Sequence, residues 1–217
     1  LLAEALRRGH NNRSHFVGDP DYFNVPVSQL LSKERTKELT KSIDLKKASK
    51  STVVKPLELI TESRDTTHFS IVDSEGNAVS NTYTLGYSFG SGVTIPGTGI
   101  LMNNQMNNFA YRYGDKKERG RGASTGNRFE PGKNPMSTMA PTMIFNKEGE
   151  LILVTGSPGG SLIPAAILRV ITGIIDFDLD IGQATMLPRV HKDWPTTGIL
   201  YERTVNSDIV RIINKRI

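Results

Sequence analysis

The sequence predicts an α+β protein, and three observations carry that expectation. Two pairs of short β-rich segments, at 66–85 and 139–155, are each joined by a tight polar turn. Helical periodicity brackets them, at 1–8, 29–45, 162–175 and 207–217. Of the 217 residues, 37% are hydrophobic and 23% charged, which supplies apolar surface for a core. Hairpins flanked by apolar helices bury both kinds of element best in a layered α+β arrangement.

Leu1-Leu2-Ala3-Glu4-Ala5-Leu6-Arg7-Arg8 reads as the middle of an amphipathic helix, and 207–217 as a periodic helix without a stop signal. The chain is therefore expected to be an internal fragment. Pro20 and Pro26 bar a helix through the polar stretch 18–26. Residues 29–45 read as a charged amphipathic helix, and 46–65 as a polar connector ending in Thr61-Glu62-Ser63-Arg64-Asp65. The texture changes at Thr66. Residues 67–73 and 78–85 alternate as strands around the turn Ser74-Glu75-Gly76-Asn77. Residues 139–145 and 151–155 repeat the pattern around Asn146-Lys147-Glu148-Gly149. The second strand runs into Gly156-Ser157-Pro158-Gly159-Gly160-Ser161 and a helix over 162–175, apolar on most faces and so expected to be buried. Between the hairpins, 107–134 is rich in Gly, Asn, Lys and Arg and too long for a simple connector, which suggests a functional surface loop.

Several classes of function fall away. The most apolar stretch, 162–175, is interrupted by Pro164, Arg169 and Gly173, against a membrane span of about 20 apolar residues. Cysteine is absent, so disulfides, thiolate metal sites and cysteine nucleophiles are excluded. His10, His15, His68 and His191 are scattered, with no two at i, i+4, so no local zinc motif exists and no metal is expected. The net charge of +5 equals the excess in one segment, where Lys33, Arg35, Lys37, Lys41, Lys46, Lys47, Lys50 and Lys55 face Glu34, Glu38 and Asp44. Without aromatic residues to stack on bases, this run reads as a solvated helix and linker, and no nucleic-acid partner is expected. A basic binding module remains the non-enzymatic alternative.

Three segments carry chemistry. Thr66-Thr67-His68 opens a strand directly after the polar connector. A hydroxyl nucleophile needs a base, and a threonine freed by cleavage before it carries its own α-amine as that base; an ordinary strand start is the plainer reading. Gly159-Gly160 precedes a helix, where backbone N–H groups can hold an oxyanion, although tight strand–helix packing accounts for glycines equally well. A P-loop is excluded because Ser161 is followed by Leu162. Asn103-Asn104-Gln105-Met106-Asn107-Asn108 offers carboxamides for neutral hydrogen-bond recognition, or a polar turn. Ser137-Thr138 adds two hydroxyls.

These segments, in this order, resemble the γ-glutamyltransferase (γ-glutamyl transpeptidase) family: 66–73, 99–106, Pro135-Met136-Ser137-Thr138-Met139-Ala140-Pro141-Thr142 and 155–161. Asn12-Arg13-Ser14-His15-Phe16-Val17-Gly18-Asp19-Pro20-Asp21 resembles the end of the family's large subunit. Pro188-Arg189-Val190-His191-Lys192-Asp193-Trp194 resembles a later stretch of its small subunit.

The resemblance implies part of a four-layer αββα N-terminal-nucleophile hydrolase made as a self-cutting precursor. Cleavage at the Asp65–Thr66 bond would make 1–65 the tail of a large subunit and 66–217 most of a small, catalytic one, the two forming a heterodimer. Thr66 would attack γ-glutamyl amides such as glutathione, and water or an amino acid would resolve the acyl-enzyme without any cofactor. Thr84 matches the threonine that assists the nucleophile. Gly159 and Gly160 match the oxyanion-hole amides, Ser137 and Thr138 the hydroxyls holding the substrate α-carboxylate, and Gln105 a contact to its amino group. Two positions depart from the family pattern: Gly86 replaces an Asn, and Asn108 replaces an Asp that would pair with the substrate ammonium. The alternatives are a related acylase with relaxed or glutaryl-type specificity and an unprocessed, catalytically silent member. A periplasmic, secreted or cell-surface location is implied by resemblance alone.

Overall fold

The computed structural model describes residues 1–49, 53–56, 66–110, 125–194 and 198–216. They belong to two compact units assembled from separated segments: 1–59, 108–136 and 188–217 in the first, and 60–107 and 137–187 in the second. Helices and strands contribute to both, so the class is α+β as expected.

In the first unit, α1 (Leu2–Phe16) buries Leu6, His10 and Ser14, a four-residue spacing that keeps one face inward. Beyond it, the Asp19 carboxylate accepts from the backbone N–H of Asn134 at 2.7 Å and of Asp21 at 3.1 Å. These bonds, the Asn134 one foremost, hold its pKa below the usual value.

The helix expected over 29–45 is two shorter ones, α2 (Val27–Leu30) and α3 (Lys33–Lys41). Ser32 takes extended geometry between them, and its hydroxyl caps α3 by accepting from Arg35 N–H at 3.0 Å. Lys33, Lys37 and Lys41 are exposed, while Arg35 pairs with Glu38 at 2.7 Å and donates to Asn12 at 3.0 Å.

The expected connector 46–65 contains a strand, β1 (Val53–Pro56). It pairs in parallel with β7 (Gly198–Tyr201), which pairs antiparallel with β6 (Val190–His191). The partner strand of β1 lies far away in sequence. α6 (Ser207–Arg216) follows. The expected surface loop 107–134 is anchored inside at its described ends, where Phe109 and Asn127 are buried, as is Met136 just beyond; 111–124 lie outside the described residues.

The second unit holds both expected hairpins. β2 (Thr67–Val72) pairs with β3 (Ala78–Tyr83) in unbroken antiparallel register, from Thr67 opposite Tyr83 to Val72 opposite Ala78. Their turn is tied by the Asp73 carboxylate, which accepts from Glu75 and Asn77 N–H at 2.9 and 2.8 Å. β4 (Thr142–Phe145) pairs with β5 (Leu151–Thr155). β4 begins only after Pro141, whose ring nitrogen cannot donate to a ladder.

A 3-10 turn, Gly160–Leu162, leads into α4 (Ile163–Phe177). A Cβ on Gly173 would lie 3.0 Å from the Ala184 Cβ, so glycine lets α5 (Ile181–Met186) approach closely. Burial of α4 is partial: Ile163, Ala165, Ile167 and Gly173 are inside, but Ile175 and Phe177 are exposed. Despite Pro164, Arg169 and Gly173, the stretch Gly160–Phe177 is by length and composition alone long and apolar enough to cross a membrane, a test that the core helix of a globular protein also passes.

Candidate active site

The β2–β3 register orders one polar face. Side chains alternate across a strand, so Thr66, His68 and Ser70 share a face with Ser80, Thr82 and Thr84 of the partner. The ladder pairs His68 with Thr82 and Ser70 with Ser80. Thr66 directly precedes β2 and Thr84 directly follows β3, flanking the last ladder pair, Thr67 with Tyr83. Thr66 is buried at 8% exposure. The Thr84 hydroxyl accepts from Gly86 N–H at 2.9 Å.

His68 is fixed at both ring nitrogens, Nδ1 with Thr82 Oγ1 at 2.8 Å and Nε2 with Ser70 Oγ at 2.9 Å. Burial lowers its pKa and favours the neutral ring. A Cβ on Gly156 would collide with this ring, so the glycine after β5 is the seat of the imidazole. From β3, the Ser80 hydroxyl donates to the Thr155 carbonyl at 3.0 Å and accepts from Thr142 N–H at 3.1 Å. The end of β5, from which the loop leaves, is thus held against β3, the partner of β2.

That loop ends in Gly159 and Gly160, at φ 128° and 55°, backbone geometry that side chains disfavour. The first hydrogen bond of the turn runs from Leu162 N–H to the Gly159 carbonyl at 3.0 Å. The amides of Gly159 and Gly160 come before that first bonded N–H, in the position from which donors serve an anion.

Gln105 lies in the 3-10 turn Gln105–Asn108, and its Nε2 donates to the Thr84 carbonyl at 3.3 Å. Asn104 N–H donates to the Leu85 carbonyl at 2.6 Å. Gly86, at φ 95°, sits so close that a Cβ would lie 3.2 Å from the Asn104 backbone. Glycine at this position therefore has a local reason: side chains rarely adopt its φ, and a Cβ would make the Asn104 segment give by a few tenths of an ångström. Ser137 is exposed, and its hydroxyl accepts from Met139 N–H at 3.0 Å; Thr138 is half-buried.

Thr66, Thr84, Gly86, Gln105, Ser137, Thr138, Gly159 and Gly160 all fall in the second unit, and hydrogen bonds join Thr84 to Gly86 and Gln105. Asn108 belongs to the first unit, and Asp65 lies outside the described residues. In the first unit the buried Asn127 carboxamide donates to the Asn108 carbonyl at 2.7 Å and accepts from Met136 N–H at 2.9 Å. One side chain thereby ties Asn108 to Met136.

Sequence reasoning did not single out Asn127, Ser80 or the anchoring of His68. The only signals were a histidine two positions past Thr66 and polar residues at strand positions 80 and 82.

The sequence model of the Gamma-glutamyltranspeptidase family matches residues 1–216. The glutathione hydrolase proenzyme of Escherichia coli (strain K12) is 38% identical over 217 residues, covering 100% of this chain and 37% of that protein. A mutant of the Helicobacter pylori gamma-glutamyltranspeptidase matches with TM-score 0.64 at 37% identity, over 69% of this chain and 80% of the other. The cephalosporin acylase of Bacillus halodurans matches with TM-score 0.74 at 28% identity, over 99% of this chain and 36% of the other. The chain spans little more than a third of the length of the curated relatives it matches.

Because Gly156 is the seat of the His68 ring, Gly156→Ala should destabilise the protein by about 1–3 kcal/mol, as overpacking does. The urea midpoint measures this, and an unchanged midpoint would show that the ring does not occupy that space.

Proposed function

Because this chain belongs to the gamma-glutamyltranspeptidase family, we propose that the protein containing it is a self-processing enzyme that cleaves γ-glutamyl amides, glutathione among them. Its fold is that of the N-terminal-nucleophile hydrolases, as in the solved structures it matches.

In the proposed mechanism the Thr66 hydroxyl first attacks the carbonyl before it, and hydrolysis of the resulting ester frees the Thr66 α-amine. The amine then takes the proton of the Thr66 hydroxyl as that oxygen attacks the γ-glutamyl carbonyl. The Thr84 hydroxyl, one register step past the ladder, assists the nucleophile. The Gly159 and Gly160 amides hold the oxyanion, a contribution worth about 2.7–4 kcal/mol per donor in comparable sites. Loss of the leaving amine gives the acyl-enzyme, and water or an amino acid resolves it to hydrolysis or transpeptidation. The observation that supports this reading is the β2–β3 register, whose last pair, Thr67 with Tyr83, is flanked by Thr66 and Thr84.

On the same reading Gln105 contacts the substrate amino group and the Ser137 and Thr138 hydroxyls bind its carboxylate. The two chains made by cutting at Asp65–Thr66 remain together as a heterodimer. A periplasmic, secreted or cell-surface location rests on the resemblance alone.

Asn108 bears on acyl selectivity. A carboxylate there would pair with the substrate ammonium, whereas the Asn108 carboxamide offers only neutral groups. Losing the charge costs roughly 1.5–3 kcal/mol, about tenfold to a hundredfold in binding. A plain glutaryl group, which has no ammonium, loses nothing by the exchange.

Thr66→Ala is expected to yield one uncut chain on a denaturing gel, and separation into two chains would remove Thr66 as the nucleophile. Asn108→Asp is expected to raise the ratio of kcat/KM for γ-glutamyl over glutaryl anilides by about tenfold or more. An unchanged ratio would mean that Asn108 does not read the α-amine.

A further inference from the structure

We propose that His10, His191 and Asp193 form a binding site for a divalent transition-metal ion, with Zn²⁺ as its natural occupant. The sequence holds no local zinc motif, yet the first unit brings together two of its four scattered histidines, His10 from α1 and His191 from β6. Asp193 follows two residues after His191. Both imidazoles are buried, at 5% and 4% exposure, and Asp193 is half-buried. One ligating atom from each of the three lies within 4.8 Å of the others.

The separations fit ligands of a common ion. His10 Nδ1 lies 3.6 Å from Asp193 Oδ1, longer than a hydrogen bond. Two ligand atoms about 2.0–2.1 Å from one tetrahedral ion are themselves roughly 3.3 Å apart. The imidazole centroids are 5.2 Å apart with the planes at 82°, an edge-on arrangement. His10 Nε2 is buried and has no hydrogen-bond partner among the described residues. The ligand geometry concerns Nδ1, the nitrogen that faces Asp193, so the case rests on the three converging donors and not on the Nε2 atom.

Donor chemistry selects the ion. Two imidazoles and a carboxylate make a three-ligand set with room for a water at the fourth position, the pattern of zinc-class sites. Mg²⁺ and Ca²⁺ require mostly oxygen ligands. The charges of Arg13 near His10 and of Lys192 near Asp193 oppose any cation, so binding must come from the ligand bonds of the imidazoles and carboxylate. The site belongs to the first unit and shares no residue with the proposed catalysis. One consequence rests on the proposed processing: His10 precedes the cut bond while His191 and Asp193 follow it, so the ion would tie the two chains together.

The test titrates chelator-stripped protein with Co²⁺, read by its visible absorption, and with Zn²⁺ against a chromophoric chelator, with Mg²⁺ as the contrast. Thr66→Ala protein is titrated alongside wild type, so that a failure of processing is distinguished from a failure of the metal site. One equivalent of Co²⁺ or Zn²⁺ is expected in both, without competition from Mg²⁺. His10→Ala, His191→Ala and the shape-conserving Asp193→Asn should each weaken Zn²⁺ binding by more than about tenfold, since even loss of a group supporting a ligand costs that much. Absence of saturable binding, or binding that His10→Ala and Asp193→Asn leave unchanged, overturns the proposal.

Discussion

In the second unit the Ser80 hydroxyl donates to the Thr155 carbonyl at 3.0 Å and accepts from the Thr142 amide at 3.1 Å, so one side chain joins β3 to both strands of the neighbouring hairpin. Thr142 and Thr155 are themselves register partners, which means the hydroxyl grips the end of a formed ladder. Thr155 leads directly into Gly156, and the polypeptide then passes to Gly159, Gly160 and α4. The position of the glycine loop relative to the β2–β3 hairpin therefore depends on this joint. Each such bond contributes only about 0.5–1.5 kcal/mol net, but removing the hydroxyl leaves buried partners unpaired at about 1–3 kcal/mol.

The alternation of side chains turns that joint into a whole polar face. With Ser80 directed at the second hairpin, Thr82 and Thr84 share its face, and across the ladder so do Ser70, His68 and Thr66. His68 is the rigid element of the group, bonded to hydroxyls on both strands and seated where Gly156 has no side chain. The other face carries Phe69, Ile71, Val79 and Tyr83, all exposed. The hairpin is amphipathic in the sense useful to a nucleophile: hydroxyls and an imidazole on one side, apolar residues on the other.

How much the sequence revealed follows from the range of each interaction. Both hairpins were legible because alternation and turn residues act over a few positions; the Asp73 carboxylate closes its own turn through Glu75 and Asn77. The division of the 29–45 helix turned on Ser32, a cap whose signal was masked by the helix formers Gln29, Leu30 and Leu31 before it and Lys33, Glu34 and Arg35 after it. β1 was read as linker because its pairing is with residues 198–201, and non-local pairing leaves no local pattern. The same holds for the meeting of His10 with His191 and for the two bonds of Asn127. At the site, the motif residues were visible one by one, and Gly86 stood out as a departure. Only the fold supplied its reason, a positive φ against the Asn104 backbone.

The account turns on whether the bond before Thr66 is cut by the protein itself. N-terminal sequencing of the chains in the purified, full-length protein tests this most directly. The account predicts two chains, the second beginning Thr66-Thr67-His68-Phe69. A single uncut chain, or a second chain beginning at any other residue, would contradict it.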